Sequence, residues 1–129
     1  MKRTIKFRGK RTDNGEWITG SYVNYSKAST AEHCILKNGK EMLSIVPETV
    51  GQFTNLTDEN GKEIYDGDIL YFPDKGVKKY VVKFSSKLAR FWACDAETKT
   101  ELAYLGVKLW DEAKVIGNIH DNPEFVNNE

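Results

Sequence analysis

Four steps in this chain of 129 residues place Asn or Asp directly before glycine: Asn14-Gly15, Asn38-Gly39, Asn60-Gly61 and Asp66-Gly67. Such pairs supply the positive backbone φ angles that tight turns need, and between strand-forming runs they favour type I′ hairpin turns. The runs they separate are short and rich in β-branched and aromatic residues. That punctuation leaves little room for helices of about ten residues or more and reads as strands.

The chain is therefore predicted to be mostly β, made of short antiparallel strands and hairpins. Residues 4–9 pair with 17–25 around the first turn and residues 34–37 with 41–46 around the second, the Asn-Gly turns being type I′. Ile5 and Phe7 alternate with Lys6 and Arg8, which sends two apolar side chains inward and two cations outward. Pro47 cannot donate to a ladder, so it ends a strand or marks an edge. Further strands are expected at residues 49–53, 63–72, 79–84, 90–94, 101–109 and 114–119. Residues 95–105 read equally well as a helix with Asp95 as its N-cap. Strands of this length with turns about every ten residues suggest a small barrel in the later half.

The whole chain, 1–129, reads as one domain, because 40% hydrophobic content suffices for a core and excludes wholesale disorder. The polar run 54–62 is the one segment able to divide it, into β hairpins over 1–53 and a barrel over 54–129, and the tail from 122 to 129 is expected to be loose. Asn38-Gly39-Lys40-Glu41-Met42 recurs almost unchanged as Asn60-Gly61-Lys62-Glu63-Ile64. The likeness stops there and reads as shared turn chemistry, not duplication. No apolar run approaches the roughly 20 residues of a bilayer-spanning helix, and no apolar stretch follows the basic start as in a secretory signal. With two cysteines, Cys34 and Cys94, the economical expectation is reduced thiols in a cytoplasm, a single bridge being compatible.

The 19 basic and 19 acidic residues cancel, but not uniformly. Residues 1–11 carry six cations and no acid, 12–68 ten acids and four bases, 69–108 eight bases and four acids, and 109–129 five acids and one base. The local balances are +6, −6, +4 and −4.

Three segments resemble the YopX family of phage and prophage proteins: Ile5-Lys6-Phe7-Arg8-Gly9-Lys10 with Gly15-Glu16-Trp17 and Gly20; Val46-Pro47-Glu48-Thr49-Val50-Gly51-Gln52-Phe53 continuing through Asn60 to Ile69; and Val115-Ile116-Gly117-Asn118-Ile119-His120 with Asn122-Pro123-Glu124. The likeness extends over nearly the whole chain and is weakest at 24–41 and 73–106. It implies a mostly β protein with an SH3-like barrel in its later half, encoded by temperate phage or prophage and so placed in a bacterial host. It implies no particular reaction.

Chemistry must then come from the residues. His33 and Cys34, adjacent on a strand, point to opposite faces and cannot easily serve one tetrahedral ion, and no Cys-x-x-Cys spacing is present. Cys94 lacks an obvious activating cation among its sequence neighbours for a thiolate role with His120. Asp66 and Asp68 flank Gly67 as turn formers do. No phosphate-cradling loop occurs. The expectation is a protein with no enzymatic activity, no cofactor and no metal, which binds a protein partner or another copy of itself through alternating charge blocks. The alternative is nucleic-acid binding, with Lys6, Arg8, Lys10 and Arg11 of the basic start and Lys78, Lys79, Lys83 and Arg90 of the second basic block contacting phosphates near Phe7, Phe91 and Trp92.

Overall fold

The computed structural model describes residues 3–27, 30–73, 79–87, 89–97 and 112–126. The expected strand at 101–109, the helical alternative beyond residue 97, and Lys78 lie outside the described residues. Ten strands follow in order: β1 (Phe7–Lys10), β2 (Trp17–Lys27), β3 (Thr30–Lys37), β4 (Glu41–Ser44), β5 (Gly51–Thr57), β6 (Glu63–Tyr65), β7 (Asp68–Tyr71), β8 (Lys79–Ser85), β9 (Arg90–Asp95) and β10 (Lys114–Asn118). Asp95 closes β9, and its Oδ1 accepts the Glu97 N–H at 2.9 Å. The protein is mostly β with antiparallel pairing, and among the described residues its sheets are open, with no closed barrel. The chain divides into two compact units, residues 1–53 and 54–129.

In the first unit the strand order is β4-β3-β2-β1, with the start of β5 beside β1. Its core is Ile18, Ile35 and Ile45, with Phe7, Tyr22, Leu43 and Val50 packed against them. Phe7 points inward as expected, but Ile5 precedes the strand and is 57% exposed. Pro47 opens a 3-10 turn over Pro47–Thr49, so the strand expected at 49–53 begins only at Gly51. The buried Thr49 hydroxyl accepts the Lys10 N–H (2.9 Å) and donates to the Val46 carbonyl (2.6 Å), fastening that turn to β1.

Only one of the three Asn-Gly turns is type I′. Asn38 and Gly39 both have positive φ (54° and 67°), and Lys40 N–H closes the turn on the Lys37 carbonyl at 3.0 Å. At the other two sites only Gly15 (φ 73°) and Gly61 (φ 82°) are left-handed. Those loops are longer. A turn with ordinary φ angles followed by one left-handed glycine matches strand twist in such loops as well as a type I′ pair does in the tightest.

The second unit holds the sheet β10-β7-β8-β9 and the pairing of β6 with the later part of β5. The polar run 54–62 is thus half strand, not linker. Ile64, Leu70, Phe72, Tyr80, Val82, Ala93 and Ala113 form its core, with Phe72 and Tyr80 meeting edge to face at 5.4 Å. Alternation sends Ile69, Val81 and Cys94 to the opposite face, and these are buried too. After β10 the chain is locked by reciprocal asparagine bonds. Asn122 Oδ1 accepts the Asn118 N–H, and Asn118 Oδ1 accepts the N–H groups of His120 and Asp121. Gly117 fits because Asn122 lies where its Cβ would be.

Asp58, 6% exposed, sits at the start of the Asn60-Gly61 loop. Its Oδ1 accepts the N–H groups of Asn60 (2.8 Å) and Lys62 (2.9 Å), and its Oδ2 accepts that of Val115 (3.0 Å). Glu59 N–H donates to the Ala113 carbonyl at 2.9 Å. One carboxylate therefore shapes a loop and holds the start of β10 to it.

Candidate functional site: two cation-bearing sheet faces

Lys6, Arg8 and Lys10 are two residues apart, so the pleat places them on one face, opposite the core. Register sets Lys10 against Trp17 and Arg8 against Thr19. The Lys6 ammonium lies 4.8 Å from the Phe53 ring centre, and the Arg8 guanidinium (4.7 Å) and the Lys10 ammonium (5.6 Å) share Trp17. Cations in these positions are attracted by the ring quadrupole, by about 0.5–1 kcal/mol where exposed. The expectation of cations pointing simply outward is refined accordingly: their charged heads lie over aromatic rings of the same unit.

Arg11 follows a different course. Its Nε and Nη2 donate to Asp13 Oδ1 and Oδ2 at 2.9 and 2.7 Å. That side-chain hydrogen bond, ahead of the Coulombic attraction, holds the Asp13 carboxyl below its ordinary value and raises Arg11 further. The pair is exposed at a hairpin turn, where such bridges contribute little to stability.

In the second unit Lys79, Lys83 and Arg90 share a face. Lys83 faces Trp92 and Ser85 faces Arg90 across the β8–β9 ladder, and Lys79 has the same parity as Lys83. Lys83 and Arg90 are exposed, whereas the Lys79 ammonium lies 5.3 Å from the Phe125 ring centre. Beside this face Val81, Cys94, Ala96, Ile119 and Val126, with Lys83 and Asp95, line a cavity of about 180 Å³. Both cysteines are buried and neither is in a disulfide. Asp66 and Gly67 form the turn between β6 and β7, and Asp68 accepts the Tyr65 N–H at 2.7 Å. His33 shares a hydrogen bond with the Tyr22 hydroxyl through Nδ1 at 2.5 Å. Among the described residues no three His, Cys, Asp or Glu side chains gather as a metal site would need, and no helix is long and apolar enough to cross a membrane.

Sequence reasoning found the cations but not their aromatic partners. Trp17 was accessible by counting across the first hairpin. Phe53 and Phe125 were not, because no local pattern announces which strand or turn will lie beside Lys6 or Lys79. In sequence Asp58 falls within the polar run 54–62, where a carboxylate that serves a loop looks like any surface acid.

Two units of open antiparallel sheet, braced by polar side chains that fasten turns to strands, define a small all-β protein. The family model described as YopX protein matches residues 6–127, and the chain belongs to the YopX family. Among solved structures it is similar to the crystal structure of protein EF1440 from Enterococcus faecalis, with 22% identity, a TM-score of 0.59, and coverage of 98% of this chain and 100% of that one. That likeness concerns the fold. No curated protein matches. The three signatures that carry the family resemblance coincide with the bracing: Lys10 with Thr49, the loop from Asn60 with Asp58, and Gly117-Asn118 with Asn122.

Proposed function

We propose that this is a phage- or prophage-encoded accessory protein of the bacterial host cytoplasm, non-enzymatic, which acts by binding a protein or another copy of itself through its β surfaces. In this reading the second unit is an SH3-like small barrel. Its succession of short antiparallel strands, returning to β7 through β10, supports that. The observation that carries the binding reading is the reach of the β2–β3 hairpin. Its pairing runs from Ser21↔Leu36 to Lys27↔Thr30, whereas β1 pairs β2 only up to Gly20 and β4 pairs β3 only from Cys34. A two-stranded ribbon by itself is marginally stable in water, and a bare edge is a template for another chain. Light scattering at tens of micromolar is expected to give a mass above 14.7 kDa, or a pull-down from infected host lysate to retain a stable partner. A monomer that retains nothing sinks the reading.

A second reading is favoured by the shared face of Lys83, Arg90 and Trp92, which combines exposed cations with an aromatic surface as single-strand binders do. Its mark is affinity that falls steeply with salt. Anisotropy titration of a labelled oligonucleotide at low salt distinguishes it: no binding at micromolar protein removes it.

A further inference from the structure

Backbone hydrogen bonds at both ends of the sheet fix which way each residue of the hairpin points its N–H and C=O groups. Arg11 N–H donates to the Glu16 carbonyl, and Phe53 N–H to the Lys6 carbonyl. Odd residues of β1 therefore face β2, and Gly9↔Ile18 and Phe7↔Gly20 are hydrogen-bonded pairs. Even residues of β2 thus face the β1 side. The far side of the hairpin agrees: Ile45 N–H donates to the His33 carbonyl, so His33 faces β4, Cys34 faces β2, and its partner Val23 faces β3. Past Gly20, where β1 ends, the N–H and C=O groups of Tyr22, Asn24 and Ser26 point to an edge that no other strand among the described residues covers.

Edges left bare in this way are normally guarded by a charge, a proline or a bulge. Residues 21–26, Ser-Tyr-Val-Asn-Tyr-Ser, contain no charge and no proline, and the first charge on the strand is Lys27 at its far end. Tyr25 on this segment is 41% exposed. The segment is also self-complementary about its middle. Turned antiparallel against itself with Asn24 opposite Asn24, it sets Tyr22 opposite Ser26 as hydrogen-bonded pairs. About six backbone hydrogen bonds then satisfy every outward group of both edges. The same register sets Val23 opposite Tyr25 in the close, non-hydrogen-bonded positions, where an aromatic and a β-branched side chain pack well.

We propose that two copies of this chain associate through the outer edge of β2, antiparallel and two-fold about Asn24, with Val23 of each copy packed on Tyr25 of the other. An isologous contact of this kind closes on itself and ends at a dimer. The proposal rests on the binding reading above and names its partner. A second copy is the fitting occupant, because residues 22–26 carry no charge and the two-fold register sets Val23 against Tyr25 on both sides of Asn24.

The decisive variant is Asn24→Pro. The Asn24 N–H points to the bare edge, so proline there removes no bond to β3, as is tolerated on edge strands. Light scattering is expected to give twice 14.7 kDa for the wild type and the monomer mass for Asn24→Pro, with circular dichroism unchanged; Asn24→Ala retains the dimer. Co-expressed Val23→Cys and Tyr25→Cys chains, both also carrying Cys34→Ala because Cys34 stands across from Val23, are expected to form a disulfide-linked pair on mild oxidation, and neither alone does, since like positions stand too far apart to bridge. An Asn24→Pro protein that remains a dimer overturns the edge while leaving self-association intact, as does a wild-type dimer whose mixed cysteines fail to link. A monomeric wild type overturns the proposal outright, and the binding reading then stands or falls on the pull-down. Should Asn24→Pro fail to fold, the mixed-cysteine result decides alone.

Discussion

Asp58→Asn is expected to lower the stability of the second unit by about 3 kcal/mol, because all three bonds lose their charge assistance and at least one N–H is left facing a donor. The reasoning turns on the number of acceptor atoms. Oδ1 takes the N–H groups of Asn60 and Lys62, and Oδ2 takes that of Val115. Asparagine keeps one acceptor and replaces the other with an NH₂ donor. Whichever way the amide turns, at least one buried N–H meets a donor. The isosteric change should therefore cost nearly as much as Asp58→Ala, and urea denaturation compares them directly. If Asp58→Asn lies within about 0.5 kcal/mol of wild type, a value typical of unremarkable surface changes, the carboxylate is not the brace described.

The same residue gives a pH dependence. Burial pushes the Asp58 carboxyl up, but the N–H groups of Val115, Lys62 and Asn60, with the Lys62 charge, outweigh it and leave the group below its ordinary value. A carboxyl depressed in the folded state contributes stability that is fully present above its unfolded value, about 3.9, and is lost as pH falls through the folded value. Acid unfolding of the wild type should thus steepen below about pH 4, and that steepening should be smaller in Asp58→Ala.

Much of the strand framework was legible in the sequence because period-two alternation and glycine turns are local signals. The hairpins β1–β2 and β3–β4, and the strands β8, β9 and β10, fall where the pattern places them, within about two residues at most ends. The exceptions share a cause. β3 begins at Thr30, four residues before expected, because Thr30 to His33 are held by pairing with β2 and carry little apolar alternation of their own. β5 runs to Thr57 through Asn55, whose φ is +70°, an unlikely strand residue by composition. The turn types at Asn14 and Asn60 depended on loop length, which a dipeptide does not encode. On the site, spacing by two puts Lys6 and Arg8 on one face, and the register adds Lys10 to them. What covers those cations is decided by strand order, and strand order is not a local property.

Gly20→Ala is the other change with a large expected effect. A Cβ at Gly20 would enter the Leu36 carbonyl oxygen and stand 3.0 Å from Ile35 Cγ2. The obstacle is backbone in the neighbouring strand, so no rotamer change relieves it and β2 and β3 must part. Overpacking of well-filled sites costs typically 1–3 kcal/mol, and with rigid backbone opposite, a loss of about 3 kcal/mol is expected. Gly9→Ala provides the internal comparison. There the added methyl would lie 2.8 Å from Ile45 Cδ1, the flexible end of a side chain, which can shift, so a loss of about 1–2 kcal/mol is expected. Chemical denaturation should rank Gly20→Ala well below Gly9→Ala, and equal midpoints would mean that the approach of Leu36 to Gly20 is not held tightly. Gly20 is also the last β2 residue paired with β1 before the hairpin extends alone. Forcing the strands apart there should loosen the pairing from Ser21↔Leu36 onward, which hydrogen exchange at Val23 and Tyr25, whose amides face β3, would register as faster exchange at those two sites than at Ile18.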